Sequence, residues 1–191
     1  MHELSLHILD LLQNSLEAGA TTISLLVNDC PETDLFIFTV EDNGRGMSDT
    51  FRLAAASPFT TSRKTRRVGL GLALLSMAAE SCGGGVEIAS RPGAGTRVTA
   101  EFRHSHPDRQ PLGDLPGAVI SALTGETELT FVWHHRYQGR EFKFSTDCAP
   151  GVFGGRFQAG NAAHLSLLND YLRAQMKILY EEDYSEKNKQ F

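Results

Sequence analysis

The stretch LFIFTVEDNGRGM, residues 35–47, joins a strand to a loop that contains two glycines. Residues 35–41 are rich in the aromatic and β-branched residues that strands favour. Asp42 follows directly, with Gly44 and Gly46 just beyond it. A carboxylate at a strand end can accept a hydrogen bond from an amino group such as that of adenine, and the glycines would let a flat base approach the backbone. Taken alone, the loop is more simply interpreted as an ordinary turn, because Asp-Asn-Gly is common in turns.

A helix and another strand are predicted before this stretch. From Glu3 to about Ala18, apolar residues recur at three- and four-residue spacing, which indicates an amphipathic helix, and Gly19 supplies a stop. Residues 22–27 predict a strand, and the turn-forming residues 28–31 predict a hairpin turn between the two strands.

The polar side of the first helix carries a carboxylate and an amide. Asp10 and Asn14 lie one helical turn apart, away from the apolar side. An amide oxygen can complete the octahedral shell of Mg²⁺ at nucleotide phosphates, and a carboxylate one turn away can orient an attacking water or hydroxyl. A solvated polar face is the simpler interpretation of this pair by itself.

A second glycine pattern opens a later helix. Gly69-Leu70-Gly71-Leu72 precedes the small, apolar residues 73–81, which predict a buried helix. Glycines there would expose backbone N–H groups at a helix N-terminus, where the helix dipole favours phosphate. With two further strands predicted at 86–90 and 96–102, residues 1–103 form an α+β sandwich of helices on an antiparallel or mixed sheet.

The remaining residues predict a small appendage. We expect a linker over residues 104–116, an αββα segment over 117–182 and a tail over 183–191. Residues 128–137 and 140–146 predict a hairpin, and its inward-facing aromatic residues would be Phe131, Trp133, Phe142 and Phe144. The sequence leaves open whether this hairpin joins the main sheet.

Bulk composition excludes several classes of protein. The net charge of -5 over 191 residues argues against a nucleic-acid binder, which would favour a basic face. Apolar runs are far shorter than the roughly 20 residues that span a bilayer, so we expect a cytoplasmic protein without membrane segments. The three cysteines lack the Cys-x-x-Cys spacing of a zinc or redox site.

In this order, the motifs resemble those of the superfamily of ATPases that includes gyrase, heat-shock chaperones, histidine kinases and mismatch-repair proteins. The resemblance covers about residues 1–103 and rests on five blocks: Asp10 to Thr21, Asp42 to Met47, Pro58-Phe59, Gly69 to Leu72, and Gly95-Thr96. It implies a Bergerat-type fold, with ATP and Mg²⁺ bound between the helices and the sheet. Residues 57–68 would form a lid over the nucleotide.

The resemblance also implies roles for individual residues. Asn14 would hold Mg²⁺, Asp42 would bind the adenine amino group, and Thr96 would support adenine directly or through water. Arg63 and Lys64, with Arg66 and Arg67, would offset triphosphate charge, although a solvated basic loop explains most of these four equally well. The remaining predicted nucleotide contacts are Gly44, Gly46, Met47, Phe59, Thr60, Thr61, Gly69, Leu70, Gly71 and Leu72.

Two departures from the family pattern affect the expected chemistry. Hydrolytic members usually carry glutamate where Asp10 stands, so Asp10 is either a general base or a group that only orders metal-bound water. Two-component histidine kinases precede this domain with a phosphoacceptor hairpin, and here the domain begins within a few residues of Met1. Autophosphorylation on a built-in histidine is therefore not expected.

The chain also resembles stand-alone ATPase-domain proteins of anaerobic bacteria, through residues 111–114 (PLGD) and 131–136 (FVWHHR). Such proteins often occur beside iron-hydrogenase or NADH-dehydrogenase-like subunits. The resemblance implies a regulatory protein kinase or ATPase acting on a separate partner protein. It is also compatible with a homodimer of this chain. The alternative is an ATP-sensing module that hydrolyses slowly or not at all. A DNA-repair clamp is the more distant reading, suggested only by residues 14–21.

Overall fold

A computed structural model describes residues 3–50, 70–125, 129–148 and 157–181. These residues form one six-stranded mixed sheet and four α-helices, which confirms the α+β prediction. In chain order the elements are α1 (Leu4–Glu17), β1 (Thr22–Cys30), β2 (Leu35–Asp42), α2 (Leu70–Ser81), β3 (Gly85–Ser90), β4 (Thr96–Arg103), α3 (Leu115–Leu123), β5 (Thr130–Tyr137), β6 (Arg140–Ser145) and α4 (Ala162–Glu181).

The C-terminal hairpin belongs to the main sheet. The strand order is β3-β4-β2-β1-β5-β6, and β5 pairs with β1 in parallel while the other neighbours are antiparallel. Thr22 pairs with Thr130 across the parallel ladder. The hairpin therefore joins the main sheet and extends it beyond β1.

One face of the sheet is covered by the helices and forms the core. Alternate residues of β2 point inward, and the rings of Phe36, Phe38 and Phe102 pack within 6.4 Å of one another. Helix α1 adds its apolar side, as its three- and four-residue spacing predicts. In the hairpin the four predicted inward residues are all buried: Phe131, Trp133, Phe142 and Phe144.

The turn between β1 and β2 lies later than the sequence predicts. Residues 28–30 continue strand β1, and the chain reverses through a short 3₁₀ turn at Pro31–Thr33, with Asp34 in the left-handed region at φ 56. The predicted turn position was wrong. Aspartate is common in turns, but Asp29 is held inside the fold by the Tyr180 hydroxyl, which donates to Asp29 Oδ2 at 3.0 Å. A long-range contact overrode the local signal.

The segment before α3 forms backbone hydrogen bonds with the start of α1. Pro111 and Leu112 offer their carbonyl oxygens to the backbone N–H groups of Leu4 and Ser5 at 2.9 and 2.8 Å, which satisfies donors that a helix start leaves unpaired. Helix α3 begins at Leu115, two residues before the predicted start of the αββα segment at residue 117, because Asp114 caps it by accepting from Gly117 N at 3.0 Å. The described helices contain none that is long and apolar enough to cross a bilayer.

Candidate functional site

A cavity of about 520 Å³ lies between α1, the loop after β2, the start of α2 and strands β2 and β4. Its walls combine apolar side chains with a small number of polar groups, and its size is that of small-molecule sites in proteins. The apolar lining consists of Leu11, Ala18, Val40, Met47, Leu72 and Val98, and the polar side chains are Asp10, Asn14, Ser15, Glu17, Asp42, Arg45, Ser48 and Thr96.

The cavity brings together predicted site residues from distant parts of the chain. Those that line it are Asp10, Asn14, Asp42, Gly46, Met47, Gly71, Leu72 and Thr96. Gly44 is buried behind this wall, and Leu70 is the first residue of α2. The other predicted contacts, Phe59, Thr60, Thr61, Arg63, Lys64 and Gly69, lie outside the described residues, as does the predicted lid at 57–68.

Asp10 and Asn14 interact across one turn of α1. The Asn14 amide donates through Nδ2 to Asp10 Oδ2 at 3.1 Å. Because the amide nitrogen is turned toward Asp10, the oxygen of Asn14 is the atom left to accept a ligand or metal, and no described residue donates to it. This geometry fixes which end of the amide is available.

Asp10 lies where α1 meets the start of α2. Its carboxylate is so close to Gly71 that a methyl group at that position would overlap it, so a larger residue at this helix start would displace the Asp10 side chain. Burial raises the pKa of Asp10, the hydrogen bond from Asn14 opposes that rise, and the nearby Glu17 adds to it. A raised pKa moves this carboxyl toward the range in which a side chain can take up a proton near neutral pH.

Two donors fix the carboxylate of Asp42 at the end of β2. Gly44 N donates to Oδ1 and the Ser15 hydroxyl contacts Oδ2, each at 2.8 Å. Gly44 is glycine because a side chain there would press on Ala18 and on the same carboxylate. Each carboxylate oxygen has a second acceptor direction, so Asp42 can still receive a hydrogen bond from a ligand in the cavity.

The turn between β3 and β4 packs closely against the loop after β2. Gly46, at φ 65, passes so close to the Arg91 carbonyl that a side chain would collide with it, and Gly95, at φ 81, approaches the Asp42 carbonyl in the same way. Gly93 N also donates to Arg45 O at 2.8 Å. These contacts explain the two glycines physically and hold the loop against the cavity wall.

The wall beside Asp42 ends in a pair of hydroxyl groups. Thr96 Oγ1 lies 2.9 Å from Ser90 Oγ, and Met47 N donates to that same serine oxygen at 2.8 Å. Thr96 also pairs directly with Asp42 across the β2–β4 ladder. An acceptor carboxylate and a hydroxyl are therefore side by side at one end of the cavity.

Residues 2–106, more than half of the chain, match the sequence profile of the histidine kinase-, DNA gyrase B- and HSP90-like ATPases. The chain belongs to this family. The predicted family is thereby confirmed, and the cavity described above lies within the matched part of the chain. Membership in this family supports ATP binding as the general function of the domain.

One relative that matches part of the chain is the non-motile and phage-resistance protein of Caulobacter vibrioides. It is 32% identical over 120 residues, which cover 58% of this chain. The same match covers 14% of the relative, so the chain spans only a small part of that protein's length.

Two solved structures resemble the fold of this ATPase-family chain. The N-terminal domain of a DNA repair protein is 16% identical, with a TM-score of 0.54, and the match covers 86% of this chain and 59% of that one. The Aquifex aeolicus MutL ATPase domain complexed with ADP is 18% identical, with a TM-score of 0.42, and covers 82% and 70% respectively. The first of these supports the same fold.

Several cavity residues of this family member were not predicted as contacts. Ser15 is the clearest case, because it follows Asn14 in the quoted block and bonds Asp42, yet nothing in its own residue type pointed to the cavity. Ser90 does not line the cavity but contacts Met47 and Thr96, which do, and no motif singles it out at the end of its strand. Both act through hydroxyl contacts made across the fold, which a local pattern does not record.

Among the described residues there is no group of three or more His, Cys, Asp or Glu side chains placed to hold a metal ion. Mg²⁺ is commonly bound by one or two protein ligands together with substrate phosphates. The available oxygen of Asn14 suits that arrangement.

Proposed function

We propose that this chain is a Mg·ATP-binding regulatory protein that acts on a separate partner protein as a kinase or ATPase of the histidine kinase-like type. The observation that carries the proposal is the convergence of Asn14 and Asp42, from α1 and the end of β2, on one cavity of about 520 Å³. Neither residue indicates a nucleotide site alone. Together they supply a metal ligand and an amino-group acceptor in one space.

Adenine would occupy the end of the cavity next to Asp42. The carboxylate is held in place by Ser15 and Gly44 and would accept from the adenine amino group, while Thr96 lies beside it. The side chains of Val40 and Val98, both buried, provide an apolar surface for the base. This combination of one fixed polar anchor and apolar walls is the usual composition of a small-molecule site.

The triphosphate would extend toward α1 and the start of α2. Asn14 would hold Mg²⁺ through its oxygen, and the ion would neutralise phosphate charge when bound. The first backbone N–H groups of α2, beginning at Leu70, are the kind of donors that favour phosphate. The basic residues Arg63 and Lys64 of the predicted lid would add charge to this end.

Asp10 would take the proton from the attacking water or from the acceptor group of the partner. Its raised pKa and the position of its carboxylate, which lies on α1 beside Gly71, support this role. Asp10 also accepts the amide of Asn14, so it would fix the direction of the metal ligand at the same time.

The second candidate is an ATP-sensing module that turns over slowly or not at all and switches binding to a redox-enzyme partner. The observation that favours it is that one carboxylate oxygen of Asp10 is already engaged by Asn14. The side chain is also one methylene shorter than the glutamate of hydrolytic relatives. In this case Asp10 would serve only to order the metal site.

We assign partner recognition to the αββα segment over residues 117–182, with a hydrogenase or NADH-dehydrogenase-like complex, or a regulator, as the partner and the cytoplasm as the compartment. The support is the resemblance through residues 111–114 and 131–136. The outer face of the hairpin presents charged side chains, including Arg136, Glu141 and Lys143, that a partner protein can reach.

Isothermal titration calorimetry with Mg·ATP tests the binding proposal. Asp42→Asn replaces one of the two acceptor oxygens by an NH₂ donor, and we expect about a 100-fold loss of affinity. Asp108→Asn, on an exposed residue outside the cavity, is the matched control and should bind as the unmodified chain does. Equal affinity in both variants would contradict adenine binding at Asp42.

Incubation with γ-labelled ATP and purified candidate partners separates the two functions. A kinase transfers label to the partner, and Asp10→Asn should abolish transfer and hydrolysis with little change in ATP affinity. Binding of ATP with neither transfer nor hydrolysis by the unmodified chain would favour the sensing module.

A further inference from the structure

Ser90, the last residue of β3, lies behind the cavity wall and contacts three polar groups. Its hydroxyl oxygen is 2.8 Å from Met47 N, 2.9 Å from Gly95 O and 2.9 Å from Thr96 Oγ1. Ser90 is not among the residues that line the cavity, whereas Met47 and Thr96 are. It can therefore influence a ligand only through the groups that it holds.

The number of protons decides the direction of each hydrogen bond. The Met47 N–H can only donate and the Gly95 carbonyl can only accept. Gly95 is buried, and an unpaired buried carbonyl is costly, so the single proton of Ser90 goes to Gly95 O. Thr96 must then donate its own proton to Ser90 Oγ.

This arrangement leaves the lone pairs of Thr96 for the cavity. Thr96 is the cross-strand neighbour of Asp42, whose carboxylate is also an acceptor. One end of the cavity therefore presents two acceptors side by side. A purine with an amino group at position 6 brings donors to this surface, whereas a 6-oxo purine would bring an oxygen against two oxygens.

We propose that Ser90 is a positioning residue that sets the preference of the cavity for 6-amino over 6-oxo purine nucleotides by fixing the direction of the Thr96 hydroxyl. This inference rests on the proposed nucleotide site. Without the Ser90 oxygen, the Thr96 hydroxyl can rotate and donate to a 6-oxo group. Specificity of this kind depends on keeping the wrong hydrogen-bond partner unsatisfied.

The test compares ATP with inosine triphosphate, which differs only at position 6 and the adjacent ring nitrogen. Affinities of both Mg²⁺ complexes are measured by calorimetry, with displacement titrations for the weaker ligand. In Ser90→Ala we expect the ratio of ATP affinity to inosine triphosphate affinity to fall about five- to tenfold. Ser90→Thr retains the hydroxyl and should restore the ratio.

Thr99→Val is the matched control. Thr99 Oγ1 lies 3.1 Å from Thr39 Oγ1 on the same β2–β4 ladder, so the variant removes one hydroxyl contact of the same kind away from the cavity. Its ratio should equal that of the unmodified chain. General loosening of the sheet would weaken both nucleotides together and leave the ratio unchanged, which is why the ratio is the readout.

A double-mutant cycle with Thr96→Val provides a second measurement. Once the Thr96 hydroxyl is gone, Ser90→Ala should change the ratio no further. An unchanged ratio in Ser90→Ala, or a full effect of Ser90→Ala in the Thr96→Val background, would overturn the inference while leaving the nucleotide site intact. Absence of adenine-nucleotide binding by the unmodified chain would instead overturn the proposed function, and this inference with it.

Discussion

The two ends of the central strands β1 and β2 handle polar groups in opposite ways. At one end, Asp42 and Asn14 face a cavity with acceptor capacity to spare. At the other end, Tyr180 donates to Asp29 Oδ2 at 3.0 Å and contacts His135 Nε2 at 2.9 Å. His104 Nε2 also lies 2.9 Å from Asp29 Oδ1.

The difference separates polar groups that bond within the protein from polar groups that face the cavity. Asp29 is 7% exposed and His135 is 0% exposed, so their partners must come from the protein. Burial, with the Asp29 carboxylate beside it, holds the pKa of Tyr180 well above its usual value, so this hydroxyl keeps its proton and donates it to Asp29. The Asp29 and His135 side chains at the far end therefore bond to Tyr180, whereas Asp42 and Asn14 keep acceptor atoms that face the cavity.

The largest expected effect is the loss of Mg²⁺-dependent nucleotide binding in Asn14→Ala. Removing the proposed Mg²⁺ ligand should weaken Mg·ATP binding about 100-fold or more while the free energy of unfolding changes little. Asn169→Ala is the control, because Asn169 also bonds a side chain one helical turn away, accepting from Arg173 Nε at 3.1 Å. Calorimetry and urea unfolding of both variants measure the two quantities. A large loss of stability in Asn14→Ala with unchanged Mg·ATP affinity would reverse the comparison.

The far end should control stability at acid pH. Burial lowers the pKa of His135 from 6.5 to about 3 in the folded protein, so the unfolded chain binds the extra proton first. The free energy of unfolding should therefore fall as pH drops from about 6.5 toward 3. This histidine should contribute roughly 1.4 kcal/mol of that loss for each pH unit. Urea unfolding at pH 7 and pH 5 measures it, with His135→Gln expected to flatten the dependence. An equal slope in that variant would assign the pH dependence to other groups.

Asp10 at the cavity end should act with the opposite sign. Because its pKa is raised on folding, its contribution to stability is present at low pH and lost as pH rises through its folded pKa. Asp10→Asn should therefore raise the melting temperature of the nucleotide-free protein at pH 7 to 8 and have little effect near pH 3. Differential scanning calorimetry at both pH values distinguishes this from a structural role, which would lower the melting temperature at both.

Removing a single hydroxyl from the far end should have a smaller effect. Tyr180→Phe leaves Asp29 and His135 without their shared partner and should cost about 1 to 2 kcal/mol of unfolding free energy. Tyr171→Phe is the matched control on the same helix, since Tyr171 contributes ring contacts to Phe142 and Phe144. Equal stability of the two variants in urea would show that the buried network adds nothing.

The smallest effect is expected at the exposed start of α3. Asp114 caps α3 and receives Arg173 Nη2 at 2.6 Å, an exposed ion pair that is worth little by itself. Asp114→Ala should cost about 1 kcal/mol through the lost cap, and Arg173→Ala clearly less. Unfolding in urea compares them. A larger loss for Arg173→Ala would give the ion pair more weight than the cap.

The parts of this structure that the sequence predicts are those fixed by nearby residues. The spacing of apolar residues predicts α1 and places Asp10 and Asn14 on its polar side, and Asp42 is correctly placed at a strand end. The parallel pairing of β5 with β1 joins residues more than 100 positions apart, and nothing local encodes it. The same holds for Asp29, whose strand position depends on Tyr180.

The candidate site was predicted at the level of motifs and missed at the level of contacts. Ordered blocks identify the family and eight of the residues that line the cavity. The contacts of Ser15 with Asp42 and of Ser90 with Thr96 depend on the angle between α1 and β2 and on the β3–β4 pairing. Such contacts follow from tertiary geometry, so single residues give no signal for them.

The most direct test of the account is a titration of ¹⁵N-labelled protein with Mg·ATP, followed by two-dimensional NMR. Saturable shifts are expected at the amides of the cavity end, including Gly44, Met47 and Thr96, with the amides of Asp29 and His135 unmoved. No saturable shifts, or shifts confined to the far end, would contradict a nucleotide site built from α1, the Asp42 loop and the start of α2.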